Sequence, residues 1–163
     1  MQGKFISFNT AGITFEERFL ALLLKIKHKN GIYQTYYMQT PVLADLLLIL
    51  QYRLLMTLHR LQVQGDSYKE ELIACNESLM ANIPEVEMAE IEQPDPERRI
   101  MSITPKLGET DTTLILVLQN EQISTFCIED NQVEAMILGI QQSLKIVDDQ
   151  EVIQYLSSNM DFL

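Results

Sequence analysis

The chain has 163 residues, of which 47% are apolar and 21% are charged, and its formal net charge is −11. This length and composition provide for one ordinary domain with a sizeable core, or for two very small domains, and exclude an intrinsically disordered chain. Two cysteines are too few for a disulfide framework or a cysteine-based metal cluster.

A secretory signal or a membrane-spanning segment in the sequence would indicate where the protein is located. The N-terminal residues have no long apolar run and no small-residue cleavage site, so we expect no secretory signal. The most apolar stretch, residues 42–58, contains Asp45, Gln51 and Arg53, and we judge it too short and too interrupted for a membrane span. We therefore expect a cytoplasmic protein with free thiols and no membrane contact.

The charge is divided unevenly along the chain. Residues 1–64 hold seven Lys/Arg against three Asp/Glu, a net charge of +4, and residues 65–163 hold five against twenty, a net charge of −15. Such asymmetry is typical of proteins that offer different faces to different partners. A merely well-solvated acidic half would give the same pattern.

Three strands are predicted before the first helix, at residues 5–10 (resuming at 13–15), 19–28 and 32–39. The dipeptide Asn30-Gly31 predicts a two-residue hairpin turn, because both central residues of a type I′ turn need a positive φ. That turn would pair Lys29 with Ile32, Lys27 with Gln34 and Lys25 with Tyr36. Because side chains alternate along a strand, the three lysines and Tyr36 would then share one face.

Two helices follow the hairpin. The first is predicted at residues 42–64, with Thr40 as its cap and Pro41 in its first turn. It is apolar on nearly all sides, so we expect it to be buried on more than one face or to form an oligomer interface. The second is predicted at residues 67–82 and begins with the capping-box pattern Ser67-Tyr68-Lys69-Glu70.

The rest of the chain repeats the first pattern after an acidic, proline-containing linker at residues 83–98, for which a short edge strand is the alternative. Strands are predicted at residues 99–104, ended by Pro105 and Gly108, and at 112–119 and 122–128. A helix capped by Asp130 is predicted at 131–147, and a short C-terminal helix at 149–158.

An internal repeat is indicated by a constant offset of 90 residues that relates Met38 to Ile128, Thr40 to Asp130 and Leu43 to Val133. The predicted fold class is α+β. It consists of two pseudo-symmetric strand–strand–strand–helix units, each an antiparallel meander with helices packed on the sheet, plus an extra helix after the first unit. Residues 1–163 would form a single domain. Its parts are the first unit (1–64), the extra helix (65–82), the linker (83–98) and the second unit (99–163). Whether the strands form one sheet or two stays open.

Catalytic motifs are not found in the sequence. It contains no P-loop, GxGxxG, CxxC, HExxH or Gly-x-Ser-x-Gly pattern, and His28 and His59 have no local partner that would make either a general base. Asp45 stands among apolar residues, where it is compatible with a helix-dipole position, an ion pair or a partner contact. We therefore predict no enzymatic activity, no cofactor and no metal site.

The favoured hypothesis is a non-enzymatic regulatory protein that binds another protein. Its acidic partner-binding residues would be Glu85, Glu87, Glu90, Glu92, Asp95 and Glu97. Acidic inhibitors of nucleic-acid-handling complexes, including phage proteins that block bacterial defence systems, have this charge pattern. A small acidic secretion-type chaperone is an alternative, and a homodimer through helix 42–61 would favour it.

The hypothesis from another class is nucleic-acid binding by the hairpin residues Lys25, Lys27, Lys29 and Tyr36, since lysines can bind phosphates and a tyrosine can stack on a base. The repeated units of strands followed by a helix are similar to those of the Pur and Whirly single-strand binders. The strand count per unit and the basic, aromatic sheet faces of those families are not reproduced here. The overall negative charge makes nucleic acid the less favoured partner.

Overall fold

The computed structural model describes residues 5–15, 18–64 and 66–145. It has two similar halves with an insertion between them. The first half contains strands β1 (Phe5–Phe15), β2 (Arg18–His28) and β3 (Tyr33–Met38) and helix α1 (Thr40–Gln64). The insertion contains α2 (Asp66–Ala81), the short helix α3 (Met88–Glu92) and a 3-10 turn (Pro96–Arg98). The second half contains β4 (Ile100–Leu107), β5 (Asp111–Leu118), β6 (Ile123–Glu129) and α4 (Asp130–Lys145).

The predicted α+β fold class is confirmed, and the strands form two sheets. Each is a three-stranded antiparallel meander, with the orders β1-β2-β3 and β4-β5-β6. Between the two sheets, Tyr37 and Arg99 form an isolated parallel bridge. The short helix expected at 149–158 lies outside the described residues.

The expected end of β4 at Pro105 is wrong, since the strand continues to Leu107 and gives way to Gly108. A proline cannot donate a hydrogen bond to a neighbouring strand, but β4 lies at the edge of its sheet, where one side of the strand needs no such bond. Pro105 is therefore compatible with β4, although it would not be compatible with the central strand of this sheet.

The internal repeat is visible in the backbone. The loops of the two equivalent hairpins have a positive φ at Gly31 (85°) and at Glu121 (68°), which are 90 residues apart. The helices that follow begin at Thr40 and Asp130, again 90 residues apart. The first strand of each half also carries a β-bulge, after Phe5 and after Ile100. The offset there is 95 residues (100 − 5), since the first hairpin is longer.

Each long helix packs against the first strand of the other half, so the two units are interlocked. Helix α4 lies on β1, where Thr10 Oγ1 donates to the Gly139 carbonyl (3.0 Å) and Gln132 Nε2 donates to the Phe5 carbonyl (3.0 Å). A Cβ at Gly139 would come within 2.8 Å of the Phe8 ring, so this close approach of strand and helix depends on glycine. One hydrophobic core therefore contains side chains from both sheets and from α1, α2 and α4.

The core is centred on aromatic contacts between the two halves. The rings of Tyr36 and Phe126, which the repeat relates, stack at a centroid distance of 6.0 Å, and Phe5 meets Phe126 edge-on at 6.2 Å. The Tyr36 hydroxyl donates to Gln34 Oε1 (2.7 Å) and lies 2.6 Å from Ser124 Oγ. Burial raises the pKa of Tyr36 above its ordinary value, against the smaller opposing effects of Ser124 and Arg98.

A buried ion pair also joins the halves. Arg53 of α1 and Asp130 of α4 are both buried, and they meet through two contacts, Nε to Oδ1 (2.5 Å) and Nη2 to Oδ2 (3.2 Å). Nη2 also donates to the Glu109 carbonyl (3.1 Å). The sequence pointed to Asp130 as a helix cap and to Arg53 only as an interruption of an apolar run. Their pairing depends on the packing of two helices that are 77 residues apart in the chain.

Helix α1 extends beyond the apolar stretch seen in the sequence, so the length argument against a membrane span does not hold. Within the described residues, the segment Thr40–His59 is long and apolar enough to cross a membrane by length and composition, with a mean hydropathy of 1.5. Leu43, Leu46, Leu47 and Leu50 on its inner side are buried in the protein core. A core helix of a folded domain has the same composition.

Candidate functional site

Residues 83–98, which contain six Asp and Glu residues and which we call the acidic segment, lie across the outer face of the first sheet. The Pro84 carbonyl accepts a hydrogen bond from Asn9 Nδ2 (2.9 Å). Val86 and Ile91 pack against a small apolar cluster of Ile13, Ala21 and Leu23 on that face. The segment is therefore folded onto the sheet, and the edge strand considered for it is wrong. Its backbone turns into α3, where the Glu87 N–H donates to Glu90 Oε2 (2.9 Å).

Lys25 and Glu90, which were predicted from the sequence to lie on two different partner-binding surfaces, bind one another. Lys25 Nζ donates to the Glu85 carbonyl (2.7 Å) and lies 3.1 Å from the Glu90 carboxylate. Thr35 Oγ1 donates to the same carboxylate (3.1 Å). Burial by itself would raise the pKa of Glu90, but the hydrogen bonds from the Glu87 N–H, Lys25 and Thr35 outweigh it and hold this pKa below its ordinary value.

The hairpin register differs from the prediction by one residue. The His28 carbonyl accepts from the Gly31 N–H (3.0 Å) and the His28 N–H donates to the Ile32 carbonyl (2.8 Å), which gives a three-residue loop with Gly31 in the left-handed conformation. Lys27 is therefore paired with Tyr33 and Lys25 with Thr35. The signal was present in the sequence, since Gly31 also suits the third position of a three-residue loop.

The predicted position of Tyr36 on the lysine face is wrong for this reason. A shift of one residue turns every side chain of a strand to the other face, and Tyr36 is buried in the core. Tyr33 takes its place, with Lys25 Nζ at 5.5 Å and Lys27 Nζ at 5.9 Å from its ring centroid. Lys29 lies in the exposed loop beyond the paired residues.

A cleft of about 580 Å³ separates the acidic segment from β3. Tyr33 and Tyr37 line it on the sheet side, and Glu90, Asp95 and Arg98 line it on the segment side. Arg98 is held in place by a hydrogen bond from its Nε to the Thr35 carbonyl (3.2 Å). Its guanidinium carbon also lies 4.5 Å from the centroid of the Tyr36 ring. The other predicted acidic residues are exposed, namely Glu85, Glu87, Glu92 and Glu97.

A second groove of about 410 Å³ runs between β1, α2 and α4. Phe8, Leu79, Met80 and Leu138 supply its apolar lining, and Asn76, Glu134 and Gln142 are among its polar residues. No sequence motif pointed to this groove, since its lining comes from three elements that are distant in the chain.

The outer side of α1 leaves a row of apolar side chains exposed. Leu48, Tyr52, Leu55 and Met56 are 45%, 56%, 61% and 38% exposed. Asp45 and His59 are exposed at the two ends of this row. At 100° per residue these six positions form a stripe about 100° wide, which we call the α1 face. Leu58 is also exposed but lies outside this stripe, about 120° round the helix from Tyr52. Asp45, the carboxylate in apolar surroundings, therefore lies at the surface.

The two histidines and Cys75 lie in different surroundings. His28 is buried with its Nε2 2.8 Å from Gln34 Oε1, while His59 is exposed on the α1 face. Burial, with the nearby charges of Glu129 and Glu71, raises the pKa of the Cys75 thiol to about 11, and Lys29 opposes this only weakly. Such a thiol is a poor nucleophile at neutral pH. Among residues 5–15, 18–64 and 66–145, no group of three or more His, Cys, Asp or Glu side chains could hold a metal ion.

Comparison with known proteins gives a family but no activity. The chain is 27% identical over 158 residues to a protein of Escherichia coli (strain K12) described as uncharacterized protein YjeJ, an alignment that covers 95% of this chain and 54% of that protein. The chain thus spans about half the length of this curated relative. No solved structure matches it. The sequence profile of the YjeJ-like family matches residues 1–163, and the chain therefore belongs to the YjeJ-like family.

Proposed function

We propose that this protein is a protein-interaction module whose α1 face docks onto a protein partner. The observation that supports this proposal is the row of Leu48, Tyr52, Leu55 and Met56, each between 38% and 61% exposed. Isolated exposed apolar residues are common on proteins, but a continuous row on one helix is typical of an interaction surface.

The energetics favour an apolar contact. Complete burial of a large apolar side chain contributes about 1.5–3 kcal/mol. Roughly half of that gain is still available at each of the four positions, because the folded chain has buried about half of each side chain. Tyr52 is the natural anchor, since a tyrosine offers a large rigid ring and a hydroxyl that can stay hydrated at the rim of an interface.

The acidic segment has a secondary part in this proposal. Glu90 is engaged by Lys25 and Thr35 within the protein, which leaves the exposed carboxylates of Glu85, Glu87, Glu92, Asp95 and Glu97. Exposed charges mainly affect the rate of encounter and the choice of partner, and they add little affinity. The segment would therefore influence how fast a partner approaches and would contribute little to the strength of binding.

Nucleic-acid binding by the lysine face has less support. Lys25 is held by the acidic segment, Tyr36 is buried, and a ligand would have to displace Glu90 or approach beside it. Lys27 and Tyr33 are the groups that remain on this face.

The proposal is tested by photo-crosslinking in living cells. A photoreactive phenylalanine analogue replaces Tyr52 or Leu55 on the α1 face, or Ile123, a control position in β6 that is 69% exposed. We expect discrete covalent protein adducts from positions 52 and 55 and none from position 123. Equal, diffuse labelling from all three positions would contradict the proposal. The mass of each adduct also distinguishes a second copy of this chain from another protein.

A further inference from the structure

We propose that the partner of the α1 face is a second copy of this chain, bound antiparallel about a twofold axis at Tyr52. This inference rests on the proposed function and specifies its partner. It starts from the order of side chains along the stripe: an acid at position 45, apolar residues at 48, 52, 55 and 56, and an imidazole at 59.

The stripe is complementary to itself in the antiparallel orientation. Asp45 and His59 lie seven residues before and after Tyr52, at opposite ends of a stripe about 21 Å long at 1.5 Å per residue. A twofold axis through Tyr52 brings Asp45 of one copy opposite His59 of the other, twice in each dimer. An imidazole has at least one N–H donor in either protonation state, so it can bind the carboxylate.

The apolar residues match in the same register. Tyr52 meets Tyr52 on the axis, and Leu48 of one copy lies opposite Met56 of the other, since 48 and 56 are equally distant from 52. A symmetric dimer interface must use one surface twice in this way. Parallel helices would instead place Asp45 opposite Asp45, where two like charges repel, so the charges select the antiparallel pair.

The available area is sufficient for a weak dimer. With a full area of roughly 200 Å² for each large side chain, Leu48, Tyr52, Leu55 and Met56 together expose roughly 400 Å² per copy. Asp45 and His59 add to this, so the pair would bury on the order of 1,000 Å², which is near the minimum for a specific interface. We expect a reversible dimer with a Kd on the order of 10 μM.

The first test is sedimentation velocity of the purified chain between about 1 and 200 μM, a range that brackets the expected Kd. The mass should rise from monomer to dimer with concentration. Tyr52→Glu should raise the Kd at least about tenfold, because it places two carboxylates on the axis. The control is Met80→Glu on α2, where the residue is 72% exposed and lies outside the α1 face, and it should leave the Kd unchanged.

The second test addresses the register. Asp45→Lys and His59→Glu should each weaken the dimer, and the double variant Asp45→Lys/His59→Glu should restore it, because the introduced ammonium of one copy then faces the introduced carboxylate of the other. Tyr52→Cys should form an interchain disulfide under mild oxidation. The unaltered chain is the control for its own Cys75 and Cys127. All of these substitutions are at exposed positions, and circular dichroism verifies the fold.

The results separate this inference from the proposed function. A chain that stays monomeric at 200 μM, or a dimer that ignores Tyr52→Glu, overturns the inference. A dimer that is weakened by both single charge variants without rescue by the double variant overturns the antiparallel register. In either case, crosslinks from positions 52 and 55 to a different protein would still support the proposed function, whereas their absence together with a monomer would overturn both.

Discussion

The ion pair between Arg53 and Asp130 gives the sharpest prediction about stability. Asp130→Asn keeps the size of the side chain and its suitability for a helix N-terminus but leaves the guanidinium of Arg53 buried without a counter-charge. Breaking a buried pair from one side costs about 3–5 kcal/mol. Because a domain of this size is stable by about 5–15 kcal/mol, the variant should lose a large fraction of its free energy of unfolding.

The assay is equilibrium unfolding in urea, followed by far-UV circular dichroism and by tyrosine fluorescence, since the chain has six tyrosines and no tryptophan. With a slope of about 2 kcal/mol/M, a loss of about 4 kcal/mol lowers the midpoint by about 2 M. The matched control is Glu134→Gln, an exposed acid on the same helix, which should change the free energy of unfolding by less than about 0.5 kcal/mol.

A double-mutant cycle separates the pair from its surroundings. Arg53→Met alone should also be costly, because it removes the guanidinium that pairs with the buried Asp130 carboxylate. The double variant Arg53→Met/Asp130→Asn should cost much less than the sum of the single changes, with a coupling of about 2–3 kcal/mol. A loss below about 1 kcal/mol in Asp130→Asn, or additive single effects, would show that the pair is hydrated or dispensable and would refute the reasoning.

Three further predictions follow from local geometry. Glu90→Gln should speed hydrogen exchange in residues 83–98, whereas Glu92→Gln, at an exposed position of the same helix, should not. Because folding lowers the pKa of Glu90, the contribution of its carboxylate to stability should be complete above about pH 5 and lost as the pH falls below about 4. The urea unfolding curves of the unaltered chain and of Glu90→Gln should therefore differ at neutral pH and merge at that low pH. The Cys75 thiol, with a pKa of about 11, should react with iodoacetamide at pH 8 roughly 100-fold more slowly than an unstructured cysteine peptide, and equal rates would contradict its burial. Gly31→Ala should destabilise the chain by about 1 kcal/mol because alanine resists a φ of 85°, although a Cβ at this position has open space. Glu121→Gly, at the equivalent position of the second hairpin, should instead stabilise the chain. Effects of equal sign would argue against backbone strain as the cause.

Much of the secondary structure could be predicted because it follows from local patterns. Strand β5 alternates buried and half-buried residues along its whole length, as expected from a period of two. Helices α1 and α4 begin at Thr40 and Asp130, the two residues predicted as their caps. The constant offset of 90 residues required no tertiary information, since it is a property of two aligned patterns.

The hairpin register shows where local information ends. Asn30-Gly31 is compatible with a two-residue turn and with a three-residue loop, and the difference in their intrinsic free energies is small. Packing of the hydrophobic core favours the three-residue loop. In the observed register Tyr36 lies beside Phe126 in the interior, whereas the predicted register would have placed it with the lysines.

The sequence by itself determined the α+β class, the duplicated units, the helix starts and the excess of apolar residues in α1, because each depends on residues that are close in the chain. Only the tertiary structure decided which charges are paired and which apolar residues stay exposed. Lys25 and Glu90 are 65 residues apart, and Arg53 and Asp130 are 77 apart, so their contacts exist only once the acidic segment and α4 have packed. For the same reason Leu43 and Leu48, alike in sequence, differ completely in burial: one faces the core shared by the two units and the other faces outward from it.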